Sequence, residues 1–326
     1  MVNAPTVLAG IPGSSVRVRG AILHWIELGG IEPGTAKAPP PLAVPLVLLH
    51  GLCDSHRTWS RVAPALAQTR RVLMLDLAGH GLSSRPDASY TLEWHARVVG
   101  DWLKALGLDE VDLVGHSYGG GVAQWMLLEN RARIRRLALV ASGGLGRRVG
   151  MALRFASAPY VVERFGQPFM ARGTQLALNA AGGAYDENEI AELARINAIP
   201  GTARAFSRSV RDVIDWRGQH RHFLDRASEV GDLPPIALFW GECDTVIPIA
   251  HGIETASVIE GATLTRFAGC GHFPHRQEPE LFVRALEDFL DAPRAPGARI
   301  RVDAAASYRA KRRSVWLPSH AASSRK

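Results

Sequence analysis

A chain of 326 residues with 47% hydrophobic and 21% charged residues holds enough apolar material for a large single core, which excludes a disordered or fibrous class. The net charge of +7 is unevenly placed: residues 292–326 carry nine basic and one acidic residue, and the remainder carries 29 basic and 30 acidic. A basic body built for nucleic acid is thereby excluded, and with no basic start, apolar leader core or long apolar run, a soluble cytoplasmic protein is expected.

In chain order, residues 15–19 and 21–28 read as an antiparallel hairpin, and the Pro-, Gly- and Ala-rich stretch 29–45 as a surface loop. Short apolar runs follow at 46–49, 72–75, 111–114, 137–140, 236–240 and 264–267, each suited to a buried parallel strand. Helical patterns fill the intervals at 58–68, 92–106, 118–129, 249–259 and 279–290. This alternation predicts an α/β fold with a doubly wound, mostly parallel sheet and ligands at the carboxyl ends of its strands. Between residues 142 and 232 the rhythm stops. No strand is expected there, and amphipathic stretches recur at 149–157, 161–165, 169–179, 188–197 and 203–215. The expected organisation is a core of residues 1–142 and 233–291, a helical cap at 143–232 inserted after the sixth strand, and a basic, disordered tail at 292–326.

Three turns at predicted strand ends carry chemistry. Val114-Gly115-His116-Ser117-Tyr118-Gly119-Gly120-Gly121 has the form G-x-S-x-G between an apolar strand and a helix. A serine on so sharp a turn has its hydroxyl pushed into a cleft, and glycines two residues to either side avoid collision with neighbouring strands. A serine nucleophile needs a base, and the base needs an orienting carboxylate. Trp240-Gly241-Glu242-Cys243-Asp244 offers Asp244 as that acid, with Glu242 as competitor. Gly269-Cys270-Gly271-His272-Phe273-Pro274-His275 offers His272 as base, with His275 as competitor. An acyl-transfer site also needs N–H donors for the developing oxyanion, each typically worth about 3 kcal/mol of barrier. The Tyr118 amide is one candidate. The turn Leu49-His50-Gly51-Leu52-Cys53 supplies the other, from Leu52 or alternatively Cys53, with His50 bracing the loop.

On these residues the chain resembles the α/β-hydrolase fold family, in its cap-bearing, serine esterase-like branch. His50-Gly51 with Trp59, the run Asp76-Leu77-Ala78-Gly79-His80-Gly81-Leu82-Ser83, the Ser117 elbow and the Asp244 and His272 turns carry the likeness over residues 15 to 291. The resemblance implies hydrolysis at a carbonyl without cofactor or metal. Epoxide hydrolases and haloalkane dehalogenases of the family place an aspartate where Ser117 stands. Carbon–carbon bond hydrolases of aromatic breakdown share the Ser-Asp-His set and remain an alternative, although they usually carry tryptophan where this chain has Phe273. A cofactor-free perhydrolase, an acyltransferase and a non-enzymatic ligand binder are further alternatives.

Substrate contacts are expected from His50, Cys53, His116, Phe155, Tyr160 and Phe273. Among Met151, Leu153, Phe155, Tyr160, Phe165, Phe169 and Met170, some are expected to face an acyl pocket. The cap's 12 basic and 10 acidic residues, counted over residues 143–232, show no strong preference of sign, so a highly anionic substrate is not expected, and the expected partner is a small, mainly apolar ester-type molecule. Cys53, Cys243 and Cys270 match no zinc spacing and are expected to be buried and inert. The cluster Arg309-Ala310-Lys311-Arg312-Arg313 beside Val315-Trp316-Leu317 gives the tail a means of touching anionic surfaces, and no nucleic-acid partner is expected.

Overall fold

The computed structural model describes residues 11–29, 44–158, 160–293 and 298–301. The chain opens with a hairpin, β1 (Ser14–Val18) and β2 (Ala21–Leu28), followed by β3 (Leu46–Leu49), α1 (Ala63–Leu66), β4 (Val72–Leu75) and α2 (Leu92–Ala105). Then come β5 (Val111–His116), α3 (Tyr118–Glu129) and β6 (Ile134–Val140). A helical segment follows, with α4 (Met151–Ala156), α5 (Val161–Phe165), α6 (Met170–Asn179), α7 (Glu187–Asn197) and α8 (Thr202–Val213), then a small hairpin of β7 (Ile214–Asp215) and β8 (Gly218–Gln219). The chain returns through β9 (Ile236–Gly241), α9 (Ala250–Val258), β10 (Ile259–Glu260), β11 (Thr263–Phe267), α10 (Pro274–Gln277), α11 (Pro279–Asp291) and β12 (Arg299–Ile300).

Among the described residues, eight strands form one sheet in the order β1-β2-β4-β3-β5-β6-β9-β11. Every pairing from β4 to β11 is parallel, and the antiparallel β1–β2 hairpin closes one edge against β4. Side chains alternate across a strand, so both faces of β3 are apolar because both are covered. Val47 and Leu49 pack with α2 and α3 residues such as Trp102 and Met126, while Leu46 and Leu48 pack with Leu66 of α1 and Phe282 and Leu286 of α11. The doubly wound α/β architecture expected from the strand–helix rhythm is the one observed.

Three local expectations are corrected. The helix expected over 58–68 is two pieces, a 3-10 turn at His56–Trp59 and then α1. Pro64 has no N–H and its ring would clash with the preceding turn, so one continuous helix is interrupted there. The helical segment does contain strand, because Asp215 Oδ1 accepts the Arg217 N–H at 2.7 Å and turns the chain so that β7 pairs with β8. The tail is not disordered from residue 292, since Arg299–Ile300 pairs antiparallel with Ile259–Glu260. Residues 309–313 and 315–317, and 30–43 of the expected loop, lie outside the described residues. Among the described residues no helix is long and apolar enough to cross a membrane.

The loop after β4 is pinned by a fully buried carboxylate. Asp76 Oδ1 accepts the backbone N–H of His56 at 2.6 Å, and Oδ2 accepts the N–H of Leu82 at 2.9 Å and His24 Nδ1–H at 2.9 Å. His56 Nδ1–H lies 3.0 Å from both oxygens. Gly81 is required against this group, because its φ is +52° and a Cβ there would sit 2.2 Å from the Asp76 carboxyl carbon. Burial opposes ionisation, but His56, His24 and His50 outweigh it and hold the Asp76 carboxyl well below its ordinary value of 3.8. A carboxylate depressed on folding stabilises the protein fully above its unfolded value and loses that contribution as pH falls through the folded one. Asp76→Ala should therefore cost about 3 to 5 kcal/mol at neutral pH, because it strands buried donors. In thermal unfolding monitored by circular dichroism, the deficit relative to wild type should narrow below about pH 4. A deficit that is small at neutral pH, or unchanged in acid, would contradict this role.

Candidate active site

The site forms at the carboxyl ends of β5, β9 and β11, which lie along one edge of the parallel sheet with β6 between β5 and β9. β5 runs directly into Ser117, which caps α3 with φ 53° and ψ −115°, a conformation rarely adopted by a residue with a side chain. The turn is possible because the flanking glycines have no side chain. A Cβ on Gly115 would lie 2.4 Å from the Gly119 carbonyl oxygen, and one on Gly119 would lie 2.4 Å from that of His50. The backbone around the serine is fully engaged. Its N–H donates to Val140 O at 3.0 Å, and its carbonyl accepts from Gly120 at 3.1 Å and Gly143 at 3.0 Å.

His272, after β11, brings Nε2 to 3.0 Å from Ser117 Oγ, and its Nδ1–H donates to Asp244 Oδ2 at 2.8 Å. Asp244, after β9, is buried, and its second oxygen accepts the N–H groups of Val246 at 2.8 Å and Ile247 at 2.9 Å. One carboxylate oxygen is thus fixed by backbone and the other is left for the imidazole. The two competitors are placed elsewhere. Glu242 pairs with Arg266 at 2.8 Å, on the surface side of the turn. His275 is fully buried, bonded through Nε2 to Thr58 Oγ1 at 2.9 Å and packed on Trp59.

The turn after β3 closes over the serine. A Cβ on Gly51 would come within 3.1 Å of Ser117 Cβ, so the backbone passes closely there. His50 Nδ1–H donates to Gly51 O at 2.7 Å, and its Nε2 accepts the Leu77 N–H at 3.0 Å, fixing the turn to the loop after β4. Cys53 has φ +54°, and its carbonyl accepts from Asn197 Nδ2 of α7 at 2.6 Å. Tyr118 is in the first turn of α3, where N–H groups have no intrahelical partner. Leu52 and Tyr118 both line the cavity beside Ser117.

That cavity is small, about 30 Å³, and its wall differs from the sequence expectation. Gly143, Val149, Leu153, Ile214 and Ile247 line it together with Ser117 and the turn residues. Of the seven apolar side chains considered for an acyl pocket, Leu153 is in this wall. None of the six residues expected to touch substrate is in it. His50 and His116 are buried, and the His116 Nε2–H donates to the His272 carbonyl at 2.9 Å, so His116 holds the backbone of His272. Burial, and next the neighbouring His272, hold His116 well below an ordinary histidine, so it stays neutral. Cys53 supplies the carbonyl held by Asn197, and burial pushes its thiol up to about 12. Phe155 and Tyr160 are exposed, and Phe273 packs against Tyr185. Cys270 is buried, whereas Cys243 is exposed, which corrects the expectation that all three cysteines are buried.

Two features of the site carry weak signals in the sequence. Asn197 is a fully buried polar residue between apolar neighbours on α7, and that is its only local mark. The second is a buried bridge between the helical segment and the core. Tyr185 Oη donates to Asp54 Oδ2 at 2.5 Å, and Arg276 binds Glu189 at 2.5 and 2.6 Å while its guanidinium stands 4.0 Å over the Tyr185 ring. Arg221 also reaches the cavity, but Glu93 is hydrogen-bonded to it and Asp212 lies 3.8 Å away, so its charge is already matched. His24, His56 and Asp76 gather their donor atoms within 4.8 Å as metal ligands would. Each of those imidazole Nδ1 atoms and both carboxylate oxygens is already taken by the hydrogen bonds described above.

The sequence pattern of the family described as alpha/beta hydrolase fold matches residues 44–279. An uncharacterized protein of Mycobacterium tuberculosis is 34% identical over 256 residues, covering 76% of this chain and 75% of the relative. The 2-hydroxymuconate semialdehyde hydrolase of a Pseudomonas species is 30% identical over 257 residues, 76% of this chain and 86% of the enzyme. Among solved structures, the meta-cleavage product hydrolase CumD of Pseudomonas fluorescens superposes with a TM-score of 0.66 at 22% identity, covering 86% of this chain and 97% of CumD. The epoxide hydrolase CorEH gives a TM-score of 0.68 at 22% identity, covering 86% of this chain and 98% of CorEH. At that identity the two structures speak for the fold alone.

Proposed function

The chain belongs to the alpha/beta hydrolase fold family, and from that premise we propose that it is a serine hydrolase cleaving a carboxylic ester through an acyl-enzyme. The observation that carries this reading is the continuous hydrogen-bonded line from Ser117 Oγ through His272 to Asp244 at 3.0 and 2.8 Å. Ser117 Oγ attacks the ester carbonyl carbon while His272 Nε2 takes its proton. Asp244 keeps the other ring nitrogen protonated and stabilises the imidazolium that forms. The amides of Leu52 and Tyr118 hold the oxyanion. The C–O bond to the alcohol then breaks, with His272 returning the proton to the departing oxygen, and a water activated by the same imidazole releases the acid. In this reading the helical segment between β6 and β9 is a lid. The cavity beside the serine is narrow, about 30 Å³, and Leu153 on α4 and Ile214 are in its wall, so movement of these two would widen it for a larger acyl group.

Carbon–carbon bond cleavage is the second reading, favoured by the relative named as a 2-hydroxymuconate semialdehyde hydrolase and by another at 30% identity named as a 2-hydroxy-6-oxo-2,4-heptadienoate hydrolase. A dienoate carries a carboxylate. Among the described residues lining the cavity the cation is Arg221, already paired with Glu93, and burying a second anion there without its own partner is costly. Initial rates on p-nitrophenyl esters from acetate to palmitate, run beside 2-hydroxy-6-oxo-2,4-heptadienoate, separate the two. We expect the best ester to exceed the dienoate in kcat/KM by on the order of 100-fold or more, which corresponds to about 3 kcal/mol for a buried polar group left unpaired. The reverse preference would replace the ester reading with carbon–carbon cleavage.

A further inference from the structure

Among the described residues twelve large apolar side chains stand exposed, and eight of them lie between Met151 and Leu176 or at Trp216. Isolated exposed apolar residues are ordinary, whereas a concentration of this kind marks an interaction surface. Part of it is demonstrably continuous. The Phe155 ring meets Trp216 edge-on at 5.5 Å, and Arg211 stands 4.5 Å over the exposed Tyr160 ring. Phe155, Trp216 and Arg211 together wall an open groove of about 490 Å³. The surface continues through α5, which ends on Phe165, and the turn at Phe169 into α6.

The charge around these side chains is mainly basic, although Asp215 lines the groove beside Arg154 and Arg211. Residues 143–179 hold five arginines and one acidic residue, Glu163. Glu163 is bound by Arg208 at 2.8 Å and faces Arg211 at 3.5 Å. Arg148, Arg164 and Arg172 are exposed, and among the described residues none of the three has a salt bridge.

We propose that this face of the helical segment docks on an anionic lipid bilayer. Phe155, Tyr160, Phe165, Phe169 and Trp216 enter the interfacial layer, and the arginines lie against lipid phosphates. Aromatic and aliphatic side chains interleaved with Arg are the composition of helices that lie in a membrane interface, and an anionic surface attracts each added cation. The same charge disfavours the two other occupants. A two-fold pairing would bring the arginine set against its own copy. The chain's residues 292–326, with nine basic and one acidic residue, carry the same sign as the patch. The groove shares Ile214 with the cavity at Ser117, so docking would set the bilayer beside the route to the serine.

The test is flotation of the full chain with vesicles of phosphatidylcholine containing about a quarter phosphatidylglycerol, and with pure phosphatidylcholine vesicles. Wild type should partition onto the anionic vesicles, less so as salt rises, and stay free of the neutral ones. Phe155→Ser/Phe165→Ser/Phe169→Ser should lose about tenfold or more of that partition, and Arg164→Glu/Arg172→Glu a similar amount. Both alter exposed positions, so a melting curve like wild type is expected. If the aromatic variant fails to fold, the charge-reversal pair still gives the answer. Ser117→Ala should float as wild type does, which separates docking from the proposed chemistry. The proposal is overturned if wild type ignores both vesicles, or if the variants float like wild type, in which case another basic segment holds the lipid. It is also overturned if the variants only convert a dimer to a monomer on gel filtration, with no vesicle binding in either.

Discussion

Ser117→Ala should lower kcat on the best ester by on the order of 10⁶, the loss seen when the serine of such a catalytic set is removed, and should leave the fold intact. The loss is large because every step of the proposed reaction passes through the bond that Ser117 Oγ makes. Among the described residues, Ser117 Oγ is the hydroxyl hydrogen-bonded to His272 Nε2, at 3.0 Å. The fold survives because the serine's structural work is done by its backbone, through Val140 and Gly143, and Ala keeps those bonds. Relief of the strained φ of 53° is not expected either, since Ala carries the same Cβ. An equal melting temperature with activity near background is the expected pair of results. Residual activity within about tenfold of wild type would remove Ser117 from the reaction.

Asp244→Asn should lower kcat by on the order of 10⁴ with a much smaller change in KM. The amide is isosteric, so the bonds from Val246 and Ile247 to Oδ1 can persist. What is lost is the acceptor at 2.8 Å from His272 Nδ1, and with it both the tautomer that leaves Nε2 free and the charge that stabilises the imidazolium. Glu242→Gln is the matched control. Its partner is Arg266 on an exposed strand edge, so it should stay within about twofold of wild type. A mild effect at Asp244 together with a large one at Glu242 would reverse the assignment of the acid.

The parts of the molecule that could be read from sequence are those in which a local pattern has one physical solution. Leu46–Leu49 and Val72–Leu75 are apolar at every position because both faces of a parallel strand are covered, and they are strands. The elbow is legible because Gly115 and Gly119 sit where any Cβ would strike backbone 2.4 Å away. Asp244 and His272 stand just beyond strand ends, and a parallel sheet gathers its strand ends on one edge, so the two turns meet the serine. The features that were missed depend on chain segments far apart in sequence. The bond from Asn197 to the Cys53 carbonyl spans 144 positions. Whether Phe155 faces the cavity or solvent is set by how α4 lies against β7 and α8, and the amphipathic pattern of 149–157 is the same in either case. His116 adjoins Ser117 in the chain. A strand reverses its side chains at each residue, however, and this one turns inward to the His272 carbonyl. Strands of two residues, such as Arg299–Ile300, are too short for any periodicity to register.

The central claim is that an acyl group passes through Ser117, and it can be observed directly. Acid quenching of the wild-type protein within the first turnover on a p-nitrophenyl ester, followed by mass spectrometry of its peptides, should show a nitrophenol burst near one equivalent and the acyl mass on the peptide containing Ser117. Sustained turnover with no burst, no acylated Ser117 peptide and a Ser117→Ala variant that keeps pace with wild type would contradict the account.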